Sequence, residues 1–594
     1  MARLADYVIE RLHQEGINHV FMVTGRGILY LSDAVARKSE IEAICTHHEQ
    51  GAAFATVAYS EATNNLGVCM VSTGCASTNA ITSVLCAWQD NIPCVFISGQ
   101  NKLNETTRYT NIPIRTFGNQ EADIISIVKP ITKYATMITD PTNIAYEIDK
   151  AFHLATSGRK GPVWIDIPLD IQNKQVNAEE LERYEPESTE EFLMRDDDIE
   201  FVKTAINAAE RPIILIGSGV KSANAVSSFE KLIEKIKIPV VFSSSNVDAF
   251  GANNSMSLGA VASIGGSRSA NFALQNSDLL IVIGCRLSPQ LTGEEYNKFA
   301  RAAKIVVVDI DEVEHSKNTV KIDKFIKTDA GYFIESLLDI NVKQTNSLWI
   351  NKCLHWKKIF PKCEDRYLES EKIDLYYFAK CLSETAPSNA IVMTDSGLTE
   401  LIIPSTFEFK KGQRCIHSPS QGSMGFALPG AIGAYCATKL PVLAVIGDGS
   451  IMMNLQELQT INYHKMPIKI FVVNNNLYSV IRTRQEELFR SRTIGTDRAN
   501  GVGAADFKKI ADCFGLEYIK IEKSDNISEK LKEVYDVSSP VLCEIIAVED
   551  QKYLHNSFAL NEKRRVVRRS LEDQKPFLDR EIFLREMLIE PIDQ

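Results

Sequence analysis

Paired cysteines are missing from this chain. Its 13 cysteines are scattered, and no two form a CxxC pair. That speaks against a disulfide framework or a cysteine-rich zinc site and fits a reducing compartment. No apolar run approaches the ~18 residues a membrane-spanning helix needs. The opening MARLADYVIERLHQEG patterns as an amphipathic helix with acids in it. It has neither the apolar stretch nor the small-residue cleavage site of a signal peptide. The expectation is a cytoplasmic protein with no membrane partner. Excess positive charge is lacking too: 65 Lys and Arg stand against 76 Asp and Glu, a net charge of −11. That balance disfavours nucleic acid or an anionic membrane surface as partner. There is no short-period repeat and no low-complexity tract.

What is present is ordinary globular composition, 45% hydrophobic and 24% charged. A length of 594 residues suggests about three or four domains. In the first stretch NHVFMVTG, LGVCMVSTG, IPCVFISGQ and GPVWIDIP read as buried strands, with helical patterns between them. Such alternation predicts a parallel sheet with crossover helices. An acidic stretch from about 173 to 200 reads as a solvated linker. A second α/β unit follows, with RPIILIGSGV, IPVVFSSS, SDLLIVIGCRL and AKIVVVDID, then a polar connection from 339 to 372. The third unit holds NAIVMTDSG, PVLAVIGDGS, IKIFVVNNN and PVLCEIIAV. The fold expected is α/β, three doubly wound α/β domains at 1–172, 195–340 and 370–550, with a charged tail at 551–594 that wraps onto a neighbouring surface. The basic run Lys563, Arg564, Arg565, Arg568, Arg569 reads as a solvated tail helix.

The chemistry concentrates in the third unit. Asp448 follows a buried strand inside Gly447-Asp448-Gly449-Ser450, and a second strand ends in Asn474-Asn475-Asn476. Both clusters then sit at carboxyl ends of parallel strands, where open α/β sheets bind ligands. Gly449 lets backbone approach a phosphate, and a following helix start favours an anion. Asp448 and Asn475 offer hard oxygen ligands suited to Mg²⁺ bridging phosphate oxygens. In the first unit, His47-His48-Glu49 invites a zinc reading. Consecutive residues point apart, however, so one ion does not easily use all three.

The spacing of GDG and NN, 24 residues apart, resembles the thiamine diphosphate (ThDP) signature. HEQGAA at 48–53 resembles the activating-glutamate segment of the same enzymes, and QGSMGFALPG at 421–430 their glycine-rich turn. STGCASTNAITSVLCAWQDNIPCVFISGQ and GRKGPVWIDIPLD extend the likeness over nearly the whole chain. It is to the acetolactate synthase-like family, of the large, catalytic subunit type. The resemblance implies three domains in the order pyrimidine-binding, central, diphosphate-binding. It implies that Glu49 hydrogen-bonds N1′ of the aminopyrimidine and promotes its imino tautomer. It implies that Asp448, the Asn475 side chain and the Leu477 carbonyl bind Mg²⁺. Gly397, Thr399, Gly447, Gly449 and Ser450 would line the diphosphate. The Gly422 carbonyl would accept from the 4′-amino group, and Met424 would wedge between the two rings. Because Glu49 and Asp448 meet across a subunit interface in this family, a homodimer or homotetramer is implied.

The implied reaction is decarboxylation of a 2-keto acid, pyruvate by resemblance, and transfer of the acyl carbanion to an acceptor carbonyl. The departures bear on that acceptor. RTFGNQE at 115–121 stands where acetolactate synthases carry GTDAFQE. Gln120, taken as catalytic, is kept, and Asn119 replaces a phenylalanine beside the substrate. Arg484 falls at a substrate-selecting tryptophan. Of the flavin segment only Arg286 remains, which leaves FAD in doubt. The TSGPG stretch has Gly74-Cys75-Ala76. These changes resemble a subgroup linked to surface-polysaccharide sugar biosynthesis, with acetyl transfer from pyruvate to a ketosugar nucleotide as the alternative reaction. Simple decarboxylation is another alternative, with His47 and His48 as candidates by residue type.

Overall fold

Apolar runs that end in Gly, Ser or Asn form the inner strands of three six-stranded sheets, every neighbouring pair parallel. The computed structural model describes residues 1–186, 194–561 and 563–592. The first sheet uses His19–Met22, Glu42–Cys45, Gly67–Val71, Cys94–Gln100, Tyr134–Met137 and Val163–Pro168. Numbered along the chain, these strands lie in the order 2-1-3-4-6-5. The third sheet, Ile391–Thr394, Arg414–Ile416, Val442–Gly447, Lys469–Asn474, Glu517–Ile521 and Val541–Ile546, has the same order. The central sheet, Pro212–Ile216, Val240–Phe242, Ser257–Ala260, Leu279–Ile283, Lys304–Asp309 and Lys324–Lys327, is ordered 3-2-1-4-5-6. Parallel neighbours need crossover connections, and here helices supply them and cover the sheet faces. The three doubly wound α/β units are present. Among the described residues no helix is long and apolar enough to cross a membrane.

The polar connections hold more structure than their composition suggests. Gln175–Val176 pairs antiparallel with Ala2–Arg3, so the start of the expected linker is tied to the first unit. Residues 187–193 of that linker lie outside the described residues. The helix Ser347–Ile359 sinks Trp349 and Trp356 into the central core. The tail closes on the same core of its own chain: Leu571, Phe583 and Met587 are buried there, and Phe583 meets Phe272 edge-on at 5.9 Å. Glu572 and Glu586 are buried with it and accept from Gln275 and Lys352. The basic run is not a helix. Phe558–Leu560 and Val566–Arg568 form an antiparallel hairpin. Adjacent β-branched Val566 and Val567 favour a strand, and Asn561 closes the turn by accepting from the Arg565 amide.

The two like-folded domains pack through equivalent helices, the one that follows the second strand of each sheet. Glu49–Thr63 crosses Ala427–Thr438 at a seam of small residues. A Cβ at Gly433 would lie 1.9 Å from the Ala55 carbonyl oxygen, so only glycine permits this approach. Phe54 and Phe426 meet edge-to-face at 5.3 Å beside the seam. A second clasp joins all three units. The buried Asp248 carboxylate takes Lys221 at 2.8 Å and Arg414 at 3.0 Å, and Arg414 also donates to the carbonyls of Glu61 and Ala62.

Overpacking a tight seam costs about 1–3 kcal/mol. Gly433→Ala should therefore lower the melting temperature, while Gly503→Ala, beside open space, should leave it unchanged. Burial alone would raise the Asp248 carboxyl, but Lys221 and Arg414 outweigh it and hold the group at about 2. A folded-state value below the unfolded one means the clasp stabilises fully above about pH 4. That contribution is lost as pH falls from there through about 2. Acid unfolding should show this loss. Asp248→Asn, which leaves two half-buried cations short of a partner, should destabilise the protein at neutral pH and flatten the acid dependence.

Candidate active site

The cleft is built at the carboxyl ends of the first, third and fourth strands of the third sheet. The GDG and NN turns leave neighbouring strands whose last paired residues are Gly447 and Val473. Asp448 links the two turns. Its carboxylate accepts from the Gly449 amide at 2.8 Å and the Asn476 amide at 2.7 Å. Burial nevertheless raises this carboxyl to about 6, the amide donors only partly offsetting the loss of water. The Asn475 amide nitrogen donates to the Ser479 hydroxyl at 2.6 Å. That bond fixes the amide orientation and turns Oδ1 away from Ser479. Leu477 bridges to Asp497, and the Tyr478 amide donates to the Thr496 carbonyl at 2.8 Å. A Cβ at Gly449 would lie 2.1 Å from the Tyr478 ring, so glycine is required there by a packed aromatic as well as by any ligand.

The opposite wall is pinned by Asp395, which follows the first strand. Its carboxylate accepts from the amides of Ser396, Gly425 and Ala427 at 2.8–3.0 Å. Two of those amides belong to the turn that carries Met424. Burial pushes Asp395 up to about 6. The Ser450 hydroxyl also hydrogen-bonds Asp395, and the Thr399 hydroxyl donates to the Asp395 carbonyl at 2.7 Å. Both expected diphosphate contacts therefore turn their hydroxyls into the protein and leave their backbone to the cleft. Gly397 and Gly422 have left-handed backbone, and a Cβ at either would meet nothing within 3.5 Å. These two positions form an open cradle.

In the first unit His48 caps the helix Glu49–Thr63, its Nδ1 accepting from the Gln50 amide at 3.1 Å. Glu49 is the first helical residue, and Asn79 donates to its Oε2 at 2.9 Å. Among the described residues no group of three His, Cys, Asp or Glu side chains is placed to hold a metal, which leaves the His-His-Glu zinc reading without support. Gln120 is exposed, with left-handed backbone, and its carbonyl presses on Gly74. Its loop is organised by Glu121, which accepts from Thr107, Phe117 and Gly118. Asn119 enters that frame only through its carbonyl, which takes Asn101 Nδ2 at 3.0 Å. Arg484 is half-exposed and pairs with Glu487 at 3.4 Å, and Glu487 also takes Lys575 of the tail at 3.1 Å.

Two residues that sequence reasoning missed reach from the third unit into this region. Asn454 donates to the Gln50 side chain at 3.1 Å and to the Gly425 carbonyl at 3.0 Å. Glu457, fully buried, accepts from the amides of His47 and His48. The small-residue run Gly51 to Ala53 was the only hint: a Cβ at Gly51 would lie 2.6 Å from Glu457 Oε1.

The residues fit a diphosphate held by a divalent cation. Asp448 and Asn475 supply oxygen donors in adjoining turns, and a Mg²⁺ site of this kind uses one or two protein side chains plus phosphate oxygens and water. A separate cavity of about 990 Å³ opens at the strand ends of the central sheet, lined among others by Gly217, Ser218, Arg286 and His417.

Comparison with known proteins agrees with this geometry. Residues 2–126 match the family model described as thiamine pyrophosphate enzyme, N-terminal TPP binding domain. Residues 199–337 match its central domain and 395–545 its C-terminal TPP binding domain. A probable acetolactate synthase large subunit of Methanocaldococcus jannaschii is 32% identical over 566 residues, covering 91% of each chain. The acetolactate synthase isozyme 1 large subunit of Escherichia coli K12 is 30% identical, covering 92% of this chain and 95% of that one. The acetolactate synthase large subunit of Lactococcus lactis is 28% identical, covering 93% of both.

Proposed function

Since this chain belongs to the thiamine pyrophosphate enzymes of the acetolactate synthase-like family, we propose that it decarboxylates a 2-keto acid, pyruvate first among them, and joins the remaining acyl unit to an acceptor carbonyl. The observation that carries this reading is the meeting of the GDG and NN turns through Asp448, opposite the open cradle of Gly397 and Gly422. When bound, thiamine diphosphate supplies a nucleophilic carbon and holds the electron pair left as CO₂ departs. Asp448, Asn475 and the Leu477 carbonyl would hold Mg²⁺. Gly447, Gly449 and the backbone of Ser450 and Thr399 line the diphosphate. Met424, on the turn fixed by Asp395, would pack against the cofactor's rings. Glu49, kept in line by Asn79, holds a proton at the aminopyrimidine edge. Gln120 faces the substrate from its strained loop.

We place the working enzyme in the cytoplasm as a homodimer or homotetramer. Leu29, Phe117, Met452, Met453 and Ile481 are large apolar side chains left exposed on one chain, and a second copy would cover them. The acceptor side differs from an apolar pocket. Asn119 and Arg484 stand there, and the exposed Arg490, Arg492 and Arg498 follow in the same segment. A carboxylate- or phosphate-bearing acceptor, such as a ketosugar nucleotide, suits that charge.

The central cavity admits a dinucleotide by volume. One wall, however, carries Glu61 Oε2, Gln89 Oε1, Asp90 Oδ2 and His417 Nδ1, none with a hydrogen-bond partner. The wall would take hydrogen-bond donors, and of the flavin segment the sequence keeps only Arg286, so we route no step through FAD.

Three measurements test these readings. Protein supplied with ThDP, Mg²⁺ and pyruvate should release CO₂ coupled to a new carbon–carbon bond, and faster with the right anionic acceptor. Aldehyde as the sole product with every acceptor would overturn the carboligation reading. Glu49→Gln should keep cofactor affinity and lower kcat by ~10²-fold or more, whereas Asp448→Ala should lose metal and most ThDP affinity. The visible spectrum of purified protein should lack a flavin band, and stoichiometric FAD would reverse that expectation.

A further inference from the structure

We propose that Glu457, outside both halves of the cofactor signature, is a positioning residue for the Glu49 carboxyl. The inference rests on the proposed role of Glu49. Glu457 begins the short helix Glu457–Tyr463 in the third unit, yet its side chain lies against the first. Oε1 accepts from the amides of His47 at 3.2 Å and His48 at 3.1 Å, and Oε2 accepts from the Thr460 hydroxyl at 2.7 Å. These two amides immediately precede Glu49. They lie at the start of a 15-residue helix, where a negative charge is favoured by the helix dipole. The bonds therefore fix where that helix begins and from where Glu49 projects.

A side-chain oxygen is what the position requires, because both amides converge on Oε1. An apolar side chain of similar size would leave two buried N–H groups without an acceptor, whereas glutamine could keep Oε1 for them and donate to the Thr460 hydroxyl, which accepts as well as donates. Gly51 completes the fit, because any Cβ there would press on Oε1 at 2.6 Å. Asn454, three residues earlier, ties Gln50 to the Gly425 carbonyl beside Met424. The segment following the metal loop thus holds the Glu49 helix and the Met424 turn in one hydrogen-bonded frame. Small displacements of such groups reduce rates ~10²-fold without touching binding contacts.

The test is Glu457→Leu in the full chain, which removes the acceptor for both amides, with Gly51→Ala as an independent variant that displaces the same carboxylate. In cofactor-free protein the His47 and His48 amides should exchange hydrogen faster while the rest of the first unit stays protected. With ThDP and Mg²⁺ bound, cofactor affinity should stay within about threefold. The exchange of the cofactor's reactive C2 proton and kcat should both fall ~10–100-fold with KM unchanged. Unchanged C2 exchange in both variants, or equal loss of cofactor affinity and turnover, overturns the positioning role. Should Glu49→Gln itself leave C2 exchange intact, the reading of Glu49 fails first, and the Glu457 proposal fails with it.

Discussion

The close crossing of helices Glu49–Thr63 and Ala427–Thr438 is the constraint on which the arrangement of the first and third units depends. Backbone touches backbone at Ala55 and Gly433, so neither helix can shift without moving the other. Each begins at a functional segment: Glu49 opens the first, and the turn bearing Met424 leads into the second. Two domains of the same strand order present equivalent helices to one another, and like packs on like. The seam does more than add buried area. It sets the Glu49 end of one helix in a fixed relation to the Met424 turn of the same chain, and in the proposed dimer a second copy would complete each half.

Helix packing fixes the scaffold, but loops at strand ends cannot be held that way, because they have too little apolar surface. Here buried acids hold them. Asp395 gathers the amides around Met424, Asp448 joins the GDG and NN turns, and Glu457 takes the amides before Glu49. Each acid loses water and recovers two or more amide bonds, which is how a buried carboxylate becomes tolerable. Burial pushes all three carboxyls upward. The same amide pairing gives rigid loops without requiring their sequences to be apolar.

This division decides what could be read from the sequence. In every sheet the four inner strands were legible as continuous apolar runs, because both of their faces are covered. The edge strands were not. Glu42–Cys45, Lys324–Lys327 and Glu517–Ile521 expose part of one face and mix charge with apolar residues. The tail and the helix Ser347–Ile359 looked polar because a few large side chains, Trp349, Trp356 and Phe583, do the burying among many charges. Asp448, Asn475 and Glu49 announced themselves by local spacing. Glu457 did not, since its partners lie 409 and 410 residues away and no local pattern links them.

The same contrast explains why the cofactor is easier to read than the acceptor. Several residues proposed to face the cofactor are frame members: Asp448 joins two turns, and Ser450, Gly425 and Ala427 are tied to Asp395, so a change there disturbs the fold as well as the chemistry. The two residues proposed to face the acceptor are not. Asn119 contributes to its loop only a carbonyl, which any residue supplies, while Glu121 does the organising. Arg484 sits half-exposed on a helix, joined to the rest by one ion pair with Glu487. Surface pairs of that kind contribute little to stability, about 0–1 kcal/mol. Neither position is therefore fixed by the packing of the frame. On the proposed function, the Asn and Arg found there answer to the substrate rather than to folding.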